Sequence, residues 1–126
     1  LSSEARRRVM FLGHIPDAQL AWLYGHAAAF VFPGLNEGFG FPPLEALRCG
    51  TASAVSRAGA LPEVLADAAV FVEDPLDAGE WAARITGLLQ GSGLKQELLA
   101  RGRRILDRYS PTAFKNALAQ AYLDLA

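Results

Sequence analysis

Four short apolar runs constrain the fold of this chain more than any other feature: Val9-Met10-Phe11-Leu12, Ala28-Ala29-Phe30-Val31-Phe32, Ala52-Ser53-Ala54-Val55 and Ala69-Val70-Phe71-Val72. The first, second and fourth are continuous rather than alternating, the pattern of strands buried on both faces of a parallel sheet. The third is shorter and weaker. Helix-like segments with start and stop signals lie between them. Asp17 is placed to cap a helix with Leu20, Leu23 and Tyr24 on one face. Pro42-Pro43 opens a second helix carrying Leu44, Ala46 and Leu47, which Gly50 ends. Leu61-Pro62-Glu63-Val64-Leu65 reads as a short third. The order β-α-β-α-β-α-β predicts an α/β fold with right-handed crossovers: a partial doubly wound parallel sheet, Rossmann-like, of about four strands.

After Asp74-Pro75 the pattern turns helical to the end, so residues 1–74 form the α/β part and 75–126 a helical tail. Trp81, Ile85, Leu88 and Leu89 make one stripe, followed by a Gly91-Ser92-Gly93 linker. Leu94, Leu98, Leu99, Ile105 and Leu106 make a second. Ser110-Pro111 starts a third helix with Phe114, Leu118, Tyr122 and Leu125 on one side. Arg101, Arg103, Arg104 and Arg108 read as a solvated helix face. Trp22 and Trp81 read as helix packing, and Cys49 as a buried structural thiol.

With 126 residues the chain is one domain or part of one. It begins with Leu1 rather than Met, so a piece of something longer is expected. Its start, Leu1 to Arg8, is polar and basic and does not read as a signal peptide. The net charge of −1 gives no basic excess for a nucleic-acid partner. No apolar run reaches the roughly 18 residues of a membrane span. The single Cys49 excludes an intrachain disulfide and fits a reducing, cytoplasmic compartment. His14, His26 and Cys49 lack zinc-ligand spacing, so neither a metal nor another cofactor is expected.

In open parallel sheets ligands bind on the loops beyond the carboxyl ends of the strands. The loop after the second run, Pro33 to Ala46, is the one with chemistry in it. Gly38 and Gly40 allow close backbone approach and positive φ. The helix beginning at the two prolines turns its unpaired N–H groups and positive dipole end toward the same space, a site for a phosphate. Glu37 in the loop and Glu45, expected in the first helical turn, flank that site. On one continuous helix they would lie about 12 Å apart along the axis and about 80° around it. Pro42-Pro43 breaks such a path, so a bent loop sets one carboxylate on each side of a bound diphosphate. Carboxylates suit vicinal diols because each accepts two charge-assisted hydrogen bonds.

Glu37-Gly-Phe-Gly-Phe-Pro-Pro-Leu-Glu45-Ala-Leu resembles the E-x7-E motif of family-4 retaining glycosyltransferases. The likeness extends to Val9–Gly13 with Asp17 and Leu20 before it. After it come Cys49-Gly50, Ser56, Gly59–Val64, Asp67-Ala68, Asp74-Pro75 and Tyr109-Ser110. It covers nearly the whole chain, residues 1–126, and implies the C-terminal nucleotide-sugar-binding domain of an enzyme with two Rossmann-like domains (the GT-B architecture), incomplete at its N-terminus.

The resemblance assigns Glu45 to the ribose hydroxyls of a nucleotide-sugar donor. It assigns the backbone N–H groups of Gly38, Phe39, Gly40 and Phe41 to its diphosphate, and Gly13, His14 and Ile15 to the border of the base. Glu37 is the candidate catalytic residue, contacting hydroxyls of the transferred sugar and not acting as a nucleophile. Read alone, His14 is a surface loop residue, Glu63 a helix-start residue, and Ser56 and Arg57 either lining of the sugar pocket or structure. The family has Ser at the position of Gly34 and Pro-Val at that of Ala52-Ser53. Its diphosphate-gripping Arg and Lys stand upstream of Val9, where nothing in this chain matches them. The fragment is therefore expected to hold half a site and to be inactive alone.

The function implied is transfer of a hexose from a nucleoside-diphosphate sugar to a glycan or lipid-linked acceptor held by a missing N-terminal domain. Any peripheral contact with the inner membrane face would lie in that domain. The Phe41-Pro42-Pro43 form resembles mannosyltransferases that use GDP-mannose. A nucleotide-sugar epimerase of the same architecture and a non-catalytic nucleotide-sugar-binding module are the alternatives. A glycosidase fits less well, since a phosphate site separates the two carboxylates. The final apolar stripe is expected to expose apolar surface or to make a dimer.

Overall fold

The computed structural model describes residues 2–125; Leu1 and Ala126, the outermost positions of the span read from sequence, lie outside the described residues. Two helices come first, α1 (Ser3–Arg7) and α2 (Asp17–His26). Then β1 (Phe30–Phe32), α3 (Phe41–Arg48), β2 (Ser53–Ser56), α4 (Leu61–Leu65) and β3 (Val70–Val72) alternate. Three helices close the chain: α5 (Ala78–Gln90), α6 (Ser92–Arg108) and α7 (Pro111–Leu123). The strands form one parallel sheet in the order β1-β2-β3, with Val31 opposite Ala54 and Ala54 opposite Val70.

Side chains alternate along a strand, and the two faces of the sheet carry separate cores. Val55 and Phe71 pack with Leu44 and Leu47 of α3 and Leu61 and Leu65 of α4. Ala54 and Val72 pack with Trp81 and Leu88 of α5. Helix α6 serves both, giving Ile105 to the first core and Leu98 to the second. A Cβ on Gly102 would come within 2.7 Å of Leu47 Cδ2, so a glycine there lets α6 lie close on α3. The α/β class, the parallel sheet and the helical tail are as the sequence predicts. Central β2 is buried throughout, and the hydroxyl of Ser53 within it has no hydrogen-bond partner among the described residues.

The first apolar run departs from expectation. Residues 9–12 form no strand, and Met10 and Phe11 are 81% and 89% exposed. A strand exists through hydrogen bonds to a neighbour, and none joins this run to the sheet among the described residues. Asp17 is the first helical residue rather than the cap. Pro16 holds the cap position, its carbonyl accepting from Gln19 and Leu20 at 2.9 and 3.0 Å. Trp22 is 59% exposed and stacks on His26 at 4.1 Å instead of packing inward. Trp81 does pack, its Nε1–H donating to the Pro75 carbonyl at 3.1 Å. The linker before α6 shrinks to Gly91, and Leu89 faces outward. Cys49 is half-buried at the end of α3. Arg103 and Arg104 are solvated as read, whereas Arg101 pairs with Glu97 and Asp67 and so ties α6 to the turn after α4.

Ser110 caps α7 by accepting from the Ala113 N–H at 3.1 Å. The apolar side of α7 stays open, with Phe114 68% and Tyr122 70% exposed. Among the described residues no helix is long and apolar enough to cross a membrane.

Candidate active site

The loop between β1 and α3 leaves the carboxyl end of β1, where a parallel sheet presents its ligand sites. It is pinned from below at three points. The Gly34 carbonyl accepts from the Ser56 hydroxyl, at the end of β2. The Glu37 carbonyl accepts from the Ala60 N–H at 3.0 Å. Gly40 takes the left-handed conformation, φ 95°, directly over Leu61, whose Cδ2 would lie 2.6 Å from any Cβ there. Gly59 completes the fit with φ 55°, and a Cβ on it would lie 2.6 Å from the Glu37 backbone nitrogen and overlap the Glu37 carbonyl. Ser56 therefore anchors the loop from a fully buried position and does not line a sugar pocket. Arg57 turns to Glu73 at 2.7 Å and lies over the Phe71 ring. Glu63 sits in the first turn of α4, whose cap position is held by Ala60 rather than by a capping side chain.

Gly40 also serves as the cap of α3, with Phe41 as its first residue and Pro42 and Pro43 next. The prolines carry no N–H, so the donors at this helix start are concentrated in the loop. The Glu37 carboxylate takes two of them, accepting from the Gly38 N–H at 3.1 Å and more weakly from the Phe39 N–H at 3.5 Å. The N–H groups of Gly40 and Phe41 meet no protein acceptor among the described residues. An anion seated here would find two unused donors and a helix dipole.

Glu45 falls just past the first turn of α3 rather than within it, because the helix begins at Phe41, one residue before the prolines. It is exposed on the helix surface, and its Oε2 accepts from the Tyr24 hydroxyl of α2 at 3.3 Å. Burial first, then the charge of Glu45 and the hydrogen bond to it, push the Tyr24 phenol above its ordinary pKa. Glu45 borders a cleft of about 320 Å³ between α2 and α3, shared with Asp17, Leu20 and Arg48. On its other side opens a groove of about 760 Å³ between α3 and α7, lined by Phe39, Phe41, Tyr109 and Phe114 among others. Phe39 meets the edge of Tyr109 at 5.2 Å, which joins the loop to the end of α6.

Glu37 and Glu45 are thus held on separate pieces of chain, each by its own partner. Gly13 and His14 stand exposed on the turn before α2, Gly13 with φ 63°. Ile15 faces an apolar hollow with Leu12, Trp22 and Leu23. No hydrogen bond joins these three to the loop among the described residues. Tyr24 is the site residue that sequence reasoning missed. Its helical spacing from Leu20 marks it as core, and only its hydroxyl distinguishes it there.

A parallel α/β domain whose first strand runs through a glycine loop into a helix start is a ligand-binding class in general form. The family is more specific: the profile described as Glycosyl transferases group 1 matches residues 1–122, and the chain belongs to that family. O-antigen chain mannosyltransferase B of Escherichia coli is 42% identical over 94 residues, which are 75% of this chain and 24% of that protein. O-antigen chain mannosyltransferase RfbU of Salmonella typhimurium is 37% identical over 87 residues, 69% of this chain and 24% of its own length. Among solved structures, sucrose-phosphate synthase from Thermosynechococcus elongatus is similar with a TM-score of 0.81 and 30% identity, over 94% of this chain and 30% of that one. The chain therefore spans 24% of the length of each of these two mannosyltransferases.

Proposed function

We propose that this chain is the donor-binding domain of a retaining glycosyltransferase that moves a hexose, mannose by preference, from a nucleoside-diphosphate sugar to a glycan or lipid-linked glycan. The observation that carries the reading is the helix start between two glutamates, where the Gly40 and Phe41 N–H groups have no protein acceptor among the described residues. The preference for mannose is supported by the relatives, whose names describe mannosyltransferases. The acceptor would be held by a further part of the protein, as the share of those relatives that the chain matches supports.

Breaking the anomeric bond develops positive charge on the sugar ring and negative charge on the departing diphosphate. Fixed N–H donors at a helix start stabilise the second charge without reorganising, as an oxyanion hole does. Glu37 would leave its loop amides for the sugar hydroxyls as phosphate oxygens replace it. Glu45 would accept from the ribose diol, charge assistance strengthening each bond. Neither role requires a protein nucleophile.

Amide NMR titration of the chain with UDP, GDP and ADP tests the reading. Saturable shifts confined to residues 38–46 and the neighbourhood of Tyr24, lost in Glu45→Ala, are expected from one of the three. A folded chain with no shift from any of them would overturn it.

A further inference from the structure

We propose that Tyr24 is a positioning residue for donor binding, holding one oxygen of Glu45 so that the other is presented to the ribose diol; this rests on the donor-site reading above. Glu45 is an exposed glutamate on a helix surface, and a side chain of that kind samples several rotamers in water. Among the described residues one hydrogen bond restrains it, from the Tyr24 hydroxyl to Oε2 at 3.3 Å. Tyr24 itself is fixed from three sides. Its ring meets Phe30, the first residue of β1, edge-on at 5.3 Å and 86°. Its carbonyl accepts from the hydroxyl of Thr51, which is buried ahead of β2. Its neighbour Gly25 sits against the end of α3, where a Cβ would lie 3.5 Å from the Cys49 carbonyl. The hydroxyl therefore stands on a frame made of α2, β1 and the lead into β2, while Glu45 rides on α3.

The bond occupies Oε2, while Oε1 takes no hydrogen bond among the described residues and so faces solvent for a ligand. Ordering Glu45 before the ligand arrives removes an entropy cost from binding, the usual benefit of preorganisation. The phenol stays a donor across the neutral range, because both burial and the Glu45 charge oppose its ionisation. A purely structural Tyr24 would act through its ring on Phe30 and not through its oxygen.

Tyr24→Phe separates the two, since it keeps the ring. The ligand is whichever of UDP, GDP and ADP binds the wild-type chain, compared with its 2′,3′-dideoxy form by calorimetry. The expected result is a loss of roughly three- to tenfold in affinity for the ribonucleotide, no change for the dideoxy form, and an unaltered melting temperature. An unchanged ratio between the two ligands in Tyr24→Phe, with Glu45→Ala still weakening the ribonucleotide, overturns the positioning role and leaves the donor site standing. Equal losses for both ligands also overturn it, by showing that the hydroxyl supports the fold. Binding of none of the three nucleotides by the wild-type chain removes the donor reading and this inference with it.

Discussion

The Glu37 side chain folds back on its own loop. Its carboxylate covers the Gly38 and Phe39 N–H groups that the family resemblance assigns to a diphosphate. On the donor-site reading proposed above, a bare nucleoside diphosphate would displace that carboxylate, whereas a nucleotide sugar would offer it new hydroxyl partners. Glu37→Gln should therefore bind the bare diphosphate as tightly as the wild type or more so, and bind the nucleotide sugar roughly tenfold more weakly, the scale of a hydrogen bond to a charged group. Competition binding with both ligands checks this, and parallel losses for the two would sink it. At this scale the sequence was informative about residue types and silent about partners. Glu37, Gly38, Gly40 and Glu45 could be singled out because a local motif contains them. Tyr24, Ser56 and Gly59 act across 21 or more positions of chain, on Glu45, Gly34 and Glu37 respectively, and no local pattern carries that information.

Among the elements, the start of α5 shows how a side chain can close a strand. Glu80 reaches back to accept from the N–H groups of Glu73 and Asp74, just after β3, each at 3.1 Å. Those backbone bonds, that to Asp74 first and then that to Glu73, lower the Glu80 pKa below its ordinary value, with Arg84 adding to them. A lowered folded-state pKa contributes stability that is present above the unfolded value and is lost as the pH falls through the folded one. Glu80→Gln should accordingly unfold at lower denaturant than the wild type at neutral pH. That gap should close as the pH drops through and below the usual carboxylate range; a gap independent of pH would show that the charge is not the cause. Element types were mostly legible because continuous apolar runs and proline starts are local signals. The run at residues 9–12 was not, since its apolarity is that of a strand but strand formation depends on a neighbour. The one-residue offset that carries Glu45 past the first turn has a similar origin: Gly40, in the left-handed conformation, sets the helix start ahead of the prolines.

Over the whole molecule, the exposed side of α7 departs from a closed globule. Phe114, Leu118 and Tyr122 on it are all solvent-facing, as the sequence predicts for a stripe without a covering layer; Leu125, expected on the same side, lies past the helix end at Leu123 and is exposed too. Apolar surface of this kind seeks cover. The chain in solution is expected to sediment as a dimer or to bind an apolar dye, and Phe114→Lys with Leu118→Lys should abolish either behaviour. A monomeric, dye-silent wild type would count against it. The fit between Gly59 and the Glu37 backbone acts over a shorter range and has a different outcome. The β1–α3 loop and the start of α4 are shaped to each other like two halves of a mould. Anyone exchanging the loop with that of a relative would have to move residues 34–40 together with 56–61, as a single cassette. A replacement in one segment is checked by the other, so this loop changes shape by paired change rather than by substitution within it alone.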